Sequence, residues 1–600
     1  MQHRSGTSAG RWFRAAGLAA VLLASRPASQ EPEAPKPEQS PAAEPAAPTA
    51  PPASTPTTPQ ATPQAPAETA PARDPSTAYL FLEDQAALLE QWGKSGLVER
   101  LELGSSAGGR QLVGVQFGVA GGRPLSERAT IFLIGGLDGV SLSGSQAVIY
   151  VVTALLAHPE LLPPEATFVA IPWANPDGLA RWRASATGGG RNDRAIDDDG
   201  DGQVDEDGPD DLDRDGMILE MLIEDNTGPW ARADDPRFLR PAREGEAPRY
   251  LRLREGLDDD GDGLFNEDGP GGVLLDHNFP VGWEDCHGPE AGPWPLSEPD
   301  SNALAQLLLA RRTAVVIAFQ GNHGALATPG GRVGKSSPLP LAEDEPTYRR
   351  LVEVFCSHTS RAQSRPLTLA EAHGEPWPGS LVDWSYAALG ALSMEIGVWG
   401  PEVQAGARAP VEAYFKNGEP ESNGVSPVEQ AWARWLDNTR GGSGFLDWQP
   451  VQLPGTPGAW IGGWEPNTIS NPPVDVLPQA LHGLDAFVLD LARNLPRLEV
   501  DVREAKREGK VCLIKARVKN QGTLPSGVGP DAESSAVRLR LEITPGVTLR
   551  AGQLETTVGH LPGRGPSDEY GWLLIAPEGS VLRIVVESAW SPPIVREVRL

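Results

Sequence analysis

From about Tyr79 the apolar positions fall into two alternating textures. Short unbroken apolar runs read as buried strands: "ATIFLIGG" (129–136), "ATFVAIPWANPDG" (166–178), "AVVIAFQG" (314–321) and "LGALSMEIGVWG" (389–400). Between them "SGSQAVIYVVTALLAH" (143–158), "EPDSNALAQLLLARR" (298–312), "TYRRLVEVFCSH" (347–358) and "PQALHGLDAFVLDLARNL" (478–495) carry helical spacing, the first opening on Ser143 as a cap. Strands alternating with helices predict an α/β domain with a mixed, mostly parallel central sheet and flanking helices. Sites in such sheets lie at the carboxyl ends of the strands, where Gly- and Asn-rich loops fall here.

The last hundred residues differ. "LEVDVREAKREGKVCLIKARVKNQG", "AVRLRLEITPG" and "SVLRIVVESAW" alternate with period two between Gly and Pro turns, which predicts a small all-β, immunoglobulin-like sandwich over 496–600. At the other end, Arg4, Arg11 and Arg14 precede the apolar run Ala15–Ala24. That run suits a signal peptide (1–30) and is too short to span a bilayer, so the chain is expected to be exported, with no membrane span beyond the signal. Residues 31–77 are Pro/Ala-rich and cannot bury enough apolar surface to fold, so they read as a disordered linker. The α/β domain then spans 78–495.

Charge narrows the partners. With 80 Asp+Glu against 51 Lys+Arg the net charge is -29, which excludes a nucleic-acid partner. The three cysteines, Cys286, Cys356 and Cys512, form no CxxC, so a thiolate zinc site is not expected. An oxidising compartment allows one disulfide, Cys286 with Cys356, and leaves one thiol free.

Much of the acid lies in a repeat. "IDDDGDGQVDEDGPD" (196–210) and "LDDDGDGLFNEDGPG" (257–271) match, inside insertions at 193–216 and 257–271. The first presents Asp197, Asp199, Asp201, Asp205 and Asp207; the second Asp258, Asp260, Asp262, Asn266 and Asp268; a partial third copy adds Asp211, Asp213 and Asp215. Carboxylates at alternating positions before a Gly converge on a hard cation that wants about six to eight oxygens, so structural calcium is expected. Gly208 and Gly269 stand where an EF-hand needs Glu, and the loops look more like those of thrombospondin type 3 repeats.

The motifs, in order, resemble the zinc carboxypeptidases of the carboxypeptidase A type. "GSSAGGRQLVGVQFG" (104–118), "IFLIGGLDGVSLSGSQAV", "VAIPWANPDG", "LLDHNFPVGWE" (274–284), "GPWPLSEPDSNAL" (292–304) and "DWSYAALGALSMEIG" (383–397) each resemble a family segment, and together they cover about 80–495. The resemblance implies a zinc held by His, Glu and His, an Asn-Arg pair gripping a terminal carboxylate, and a Glu acting as general base. On these motifs the zinc-ligand equivalents are Asp138, Ser141 and Gln320, with His323 as a substitute; the substrate-gripping pair becomes Asp276 and His277; and the base is Glu395. The capping Tyr falls near Gly374 and Glu375, with His373 and Trp377 close by. Asp138 with Gln320 would make a poor zinc site. A rearranged site drawn from Asp138, His277, Cys286, His287 and His323 is the alternative.

Three readings follow. The chain is an exported pseudoenzyme that binds a peptide or cell-wall fragment, or an active metallocarboxypeptidase with substituted ligands, or an extracellular scaffold. Nothing in the residues states the oligomeric state.

Overall fold

The computed structural model describes residues 75–600 except 122, 185–189, 197–207, 260–264, 266–270, 287, 322, 333–338, 401–424, 426, 454–455, 457, 466–467, 469 and 531–535. In the first part of the chain α1 (Gln85–Gly93), β1 (Val98–Ser105), β2 (Gln111–Phe117), β3 (Ala129–Gly135), α2 (Leu142–Ala157), β4 (Ala166–Ile171) and α3 (Pro176–Ala184) follow one another. Next come β5 (Glu220–Glu224), β6 (Trp230–Arg232), β7 (Leu239–Pro241) and β8 (Tyr250–Arg254). The α/β pattern resumes with α4 (Pro299–Leu309), β9 (Arg312–Phe319), β10 (Leu326–Thr328), α5 (Glu345–Thr359), β11 (Leu367–Thr368), α6 (Leu369–His373), α7 (Leu381–Leu389) and β12 (Leu392–Ile396). It closes with α8 (Pro427–Arg440), β13 (Phe445–Val451), β14 (Ala459–Trp464), α9 (Leu477–Leu481) and α10 (Leu484–Arg493).

The main sheet runs β1-β2-β4-β3-β9-β12-β10-β11. Its centre is parallel, β4 with β3, β3 with β9 and β9 with β12. Antiparallel strands β1 and β2 lie on one side, and β10 runs antiparallel to β12 on the other. Successive residues of β3 feed opposite cores: Ile131 and Leu133 pack with α2, α5 and α10, and Phe132 and Ile134 with α4 and α7. Helices on both faces explain why these strands are unbroken apolar runs rather than alternating ones.

The insertion between the Asp-rich loops builds a second, antiparallel sheet, β13-β14-β5-β8-β6-β7, completed by strands some two hundred residues later. Of the calcium candidates, Asp211, Asp213, Asp215 and Asp258 lie among the described residues; the other candidates lie outside them, as do the signal segment and most of the linker. Buried Glu255 accepts from the backbone N–H groups of Leu212, Asp213 and Leu219 and so shapes the loop that carries the three aspartates.

The C-terminal strands are β15 (Leu498–Glu508), β16 (Val511–Asn520), β17 (Val537–Glu542), β18 (Thr548–Ala551), β19 (Glu555–Gly559), β20 (Tyr570–Ile575), β21 (Val581–Glu587) and β22 (Ile594–Arg599). They form two four-stranded sheets, β15-β16-β20-β18 and β19-β17-β21-β22, around one shared core. Leu524, Val528 and Trp590 leave that core and pack into the core of the α/β domain.

Three expectations are corrected. Cys286 and Cys356 are not joined: Cys286 sits against the carbonyls of His277 and Pro378, Cys356 against that of Gln363, so the two thiols pack in different places. Helix α2 starts before Ser143, whose N–H goes to Asn471 while Asp138 accepts from Val140 and Ser141 at the helix entry. The closing helix is two helices, because the left-handed Gly483 separates α9 from α10. The described residues begin at Pro75, whose carbonyl accepts from buried Gln146. Among the described residues no helix is long and apolar enough to cross a membrane.

Candidate functional site

The loops leaving β3 and β9, together with β12 itself, bring the expected residues to one end of the sheet. Asp138 lies in the turn after β3. Its Oδ1 accepts from the N–H groups of Val140 and Ser141, and its Oδ2 accepts from Ser141 Oγ at 2.6 Å and from Gly321 N at 3.0 Å. Two ligand equivalents are therefore spent on each other and on tying the β3 turn to the β9 turn. Gly321 makes that tie at φ 73, where a Cβ would stand 2.9 Å from a Glu395 oxygen.

The third equivalent, Gln320, is buried and uses its amide nitrogen twice: Nε2 donates to Asp276 Oδ2 at 2.6 Å and to Glu395 Oε2 at 2.8 Å. Its Oε1 is buried without a hydrogen-bond partner. Asp276 also accepts from Trp377 Nε1 and Leu381 N, so the acid expected at the substrate-gripping position is an anchor for the α7 loop. Burial first, and the nearby charge of Glu395 second, raise its pKa. His277 donates from Nδ1 to the Pro378 carbonyl at 2.7 Å and stays neutral because burial lowers its pKa. Its ring leans on Trp377, which stacks on His373 with ring centres 3.8 Å apart.

Glu395, wholly buried in β12, is the centre of the arrangement. Its Oε1 accepts from His323 Nε2 and His373 Nε2, both at 2.8 Å. Burial alone would raise its pKa; the facing His373 and the hydrogen bonds from both imidazoles outweigh it and hold the carboxyl well below its ordinary range. His323 is shifted down, by burial against its contact with Glu395. His373 is shifted up: burial opposes, and the charges of Glu395, Asp276 and Asp138 win. The result is an ionised carboxylate with three N–H donors.

Does this set suit a transition metal? At the positions the resemblance assigns to the ligands, Asp138, Ser141 and Gln320 supply no imidazole or thiolate; Asp138 and Ser141 are bonded to each other and Gln320 offers only its unpartnered amide oxygen, so zinc does not fit there. His323, His373 and Glu395 each offer a ligand atom, all within 4.8 Å of one another. One contact argues against an ion among them. His323 Nδ1 accepts from Ala325 N at 3.2 Å, which puts the ring proton on Nε2, the atom facing Glu395. A metal on Nε2 needs the proton on Nδ1, where it would meet another N–H rather than the acceptor that orients metal-bound histidines.

Sequence reasoning flagged His323 as a substitute but gave His373 no role, because no spacing rule links a histidine on α6 to β9 and β12. Cys286 is near His277 rather than near the Glu395 trio, and burial raises its thiol to about 11. His287 lies outside the described residues. Gly374 and Glu375 are exposed, and Trp377 occupies that side of the site. Arg361, which carried no sequence signal, donates to the carbonyls of Gly324, Gly397, Val398 and Ala480, and so clamps the loops after β9 and β12.

Residues 87–216 match the family described as zinc carboxypeptidase, and residues 497–599 match a domain of unknown function. No curated protein matches. Similar solved structures include bovine thrombin-activatable fibrinolysis inhibitor in complex with tick carboxypeptidase inhibitor, at 14% identity over 60% of this chain and 98% of that one, TM-score 0.35. Carboxypeptidase A from Helicoverpa armigera matches at 14% over 61% and 73%, TM-score 0.37. The metallo-carboxypeptidase from Burkholderia cenocepacia matches at 12% over 59% and 65%, TM-score 0.31.

Proposed function

Taking as premise that this chain is a divergent member of the zinc carboxypeptidase family, we propose that it is an exported pseudoenzyme, one that keeps the carboxypeptidase-like scaffold to hold a peptide or cell-wall fragment and does not cut it. The observation that carries this reading is the state of Glu395. A general base works best with a pKa near the operating pH, and Glu395 is pushed far the other way, against its burial, by His373 and His323. Bulk water is too weak an acid to be activated by such a group, and among the described residues neither the family position nor the His323 geometry suits a zinc ion to help it. In the same reading Asp211, Asp213 and Asp215, whose ligand atoms cluster within 4.8 Å, take calcium together with the neighbouring Asp-rich repeats.

A second reading is favoured by the His323–His373–Glu395 cluster: an active enzyme whose metal sits on that trio, making Glu395 a ligand. Metal analysis of the purified full chain, paired with release of C-terminal residues from blocked peptides, separates the two. The pseudoenzyme carries calcium but far less than one zinc per chain, and releases nothing. Glu395→Gln then changes stability only. Stoichiometric zinc that disappears in His373→Ala, with peptide cleavage lost alongside, would establish the second reading instead.

A further inference from the structure

Where the sandwich docks on the α/β domain there is a cleft of about 390 Å³ that the reading above leaves unused. Its walls are mainly apolar and stiff, with Pro163, Pro164, Pro496 and Pro592 among the lining residues beside Leu495 and Trp590. Prolines fix the wall backbone, so the cavity is largely formed before anything enters it. Three arginines also line it, Arg123, Arg493 and Arg497, all exposed. Arg123 and Arg493 each reach one backbone carbonyl, of Pro593 and Leu161 respectively. Among the described residues none of the three has a carboxylate within ion-pair distance, and Glu165 is the one acid in the lining. In a chain of net charge -29 such a group stands out as a local positive field. The wall also holds two buried polar atoms with no hydrogen-bond partner, Trp590 Nε1 and Ser591 Oγ. Both can donate.

We propose that this cleft binds an organic monocarboxylate with an apolar body, the carboxylate taken by the arginines at the rim and the body by the proline-walled interior. Guanidinium groups match carboxylates in a planar, bidentate way, and an apolar pocket of this size with a few polar groups is typical of small-ligand sites. Because both domains line the cleft, a bound acid also strengthens their docking.

Calorimetric titration of the full chain with octanoate tests this, with octanol and inorganic phosphate as the uncharged and tail-less probes. Octanoate should bind saturably and raise the melting temperature. Octanol and phosphate should bind at least about tenfold more weakly. The double variant Arg493→Glu/Arg497→Glu changes exposed side chains, so it should keep the unliganded melting temperature while weakening octanoate by about tenfold or more. A leucine-ended peptide, free acid against amide, tells whether the acid comes from a small molecule or a chain end; preference for the free acid supports the proposal in either case. Octanoate bound no better than octanol, unaffected by the double variant, or not bound at all would overturn it, as would a peptide bound equally as acid and amide.

Discussion

A buried carboxylate is costly unless it is paired, and the pairing decides what it can do. Glu395 is satisfied so fully that its proton affinity is lost. Asp300, at the start of α4, is the opposite case: burial, with the charge of Asp177 behind it and Glu298 adding less, raises it to about 7, and the N–H groups of Asp300 and Ala107 offset only part of that. Its folded pKa lies above an unfolded value of roughly 3.9. Between the two the folded state holds a proton that the unfolded chain has released, so this contribution is complete below about pH 4 and lost as pH rises through about 7. Asn cannot ionise. Asp300→Asn should therefore match the parent near pH 4 and exceed its stability by on the order of 4 kcal/mol at pH 8. Denaturant unfolding at the two pH values checks this; a difference that does not grow with pH would refute it.

Among the elements, the site depends on turns more than on strands. Asp138 joins the β3 turn to the β9 turn, and Arg361, just past α5, gathers carbonyls from the β9 turn, the β12 turn and α9. Burial lowers the Arg361 pKa to about 10, which leaves it charged at neutral pH. Arg361→Met would strand four carbonyls that have lost their donor, and should cost about 3 kcal/mol or more. Arg361→Lys keeps a charge and some of the donors, so it should cost less than the Met variant, and it should still cost something because a compact ammonium cannot span all four carbonyls. Limited proteolysis should find the 397–400 loop opened in the Met variant; an unchanged unfolding midpoint would show the clamp to be dispensable.

At the scale of the whole molecule, the sandwich is not a free module. Trp590 is fully buried and belongs to the same core as α2 and α10. The described residues, from Pro75 to the sandwich, accordingly form one compact unit. Trp590→Ala should cost about 3–5 kcal/mol and loosen the seam. Hydrogen exchange would register it as faster opening of the sandwich residues that face the α/β domain, Leu524 and Val528 among them. Equal protection in both proteins would show that the seam does not depend on this side chain. The isolated module would expose these three apolar residues, so partner capture with it tests stickiness as much as recognition.

Sequence by itself determined the strands of the parallel centre, because a strand covered on both faces must be an unbroken apolar run whatever its partners are. It also determined the C-terminal strands, through period two, and it located Asp138, Gln320 and Glu395 as residues to watch, because ordered motifs locate single positions. What only the tertiary structure decided was where polar groups from distant segments point. His373 meeting Glu395, Arg361 spanning two turns and α9, strands β13 and β14 completing the insertion's sheet and Trp590 crossing the domain seam all depend on contacts between residues far apart in the chain. No local periodicity encodes those contacts, and each is selected by the need to satisfy buried donors, acceptors and apolar surface in three dimensions.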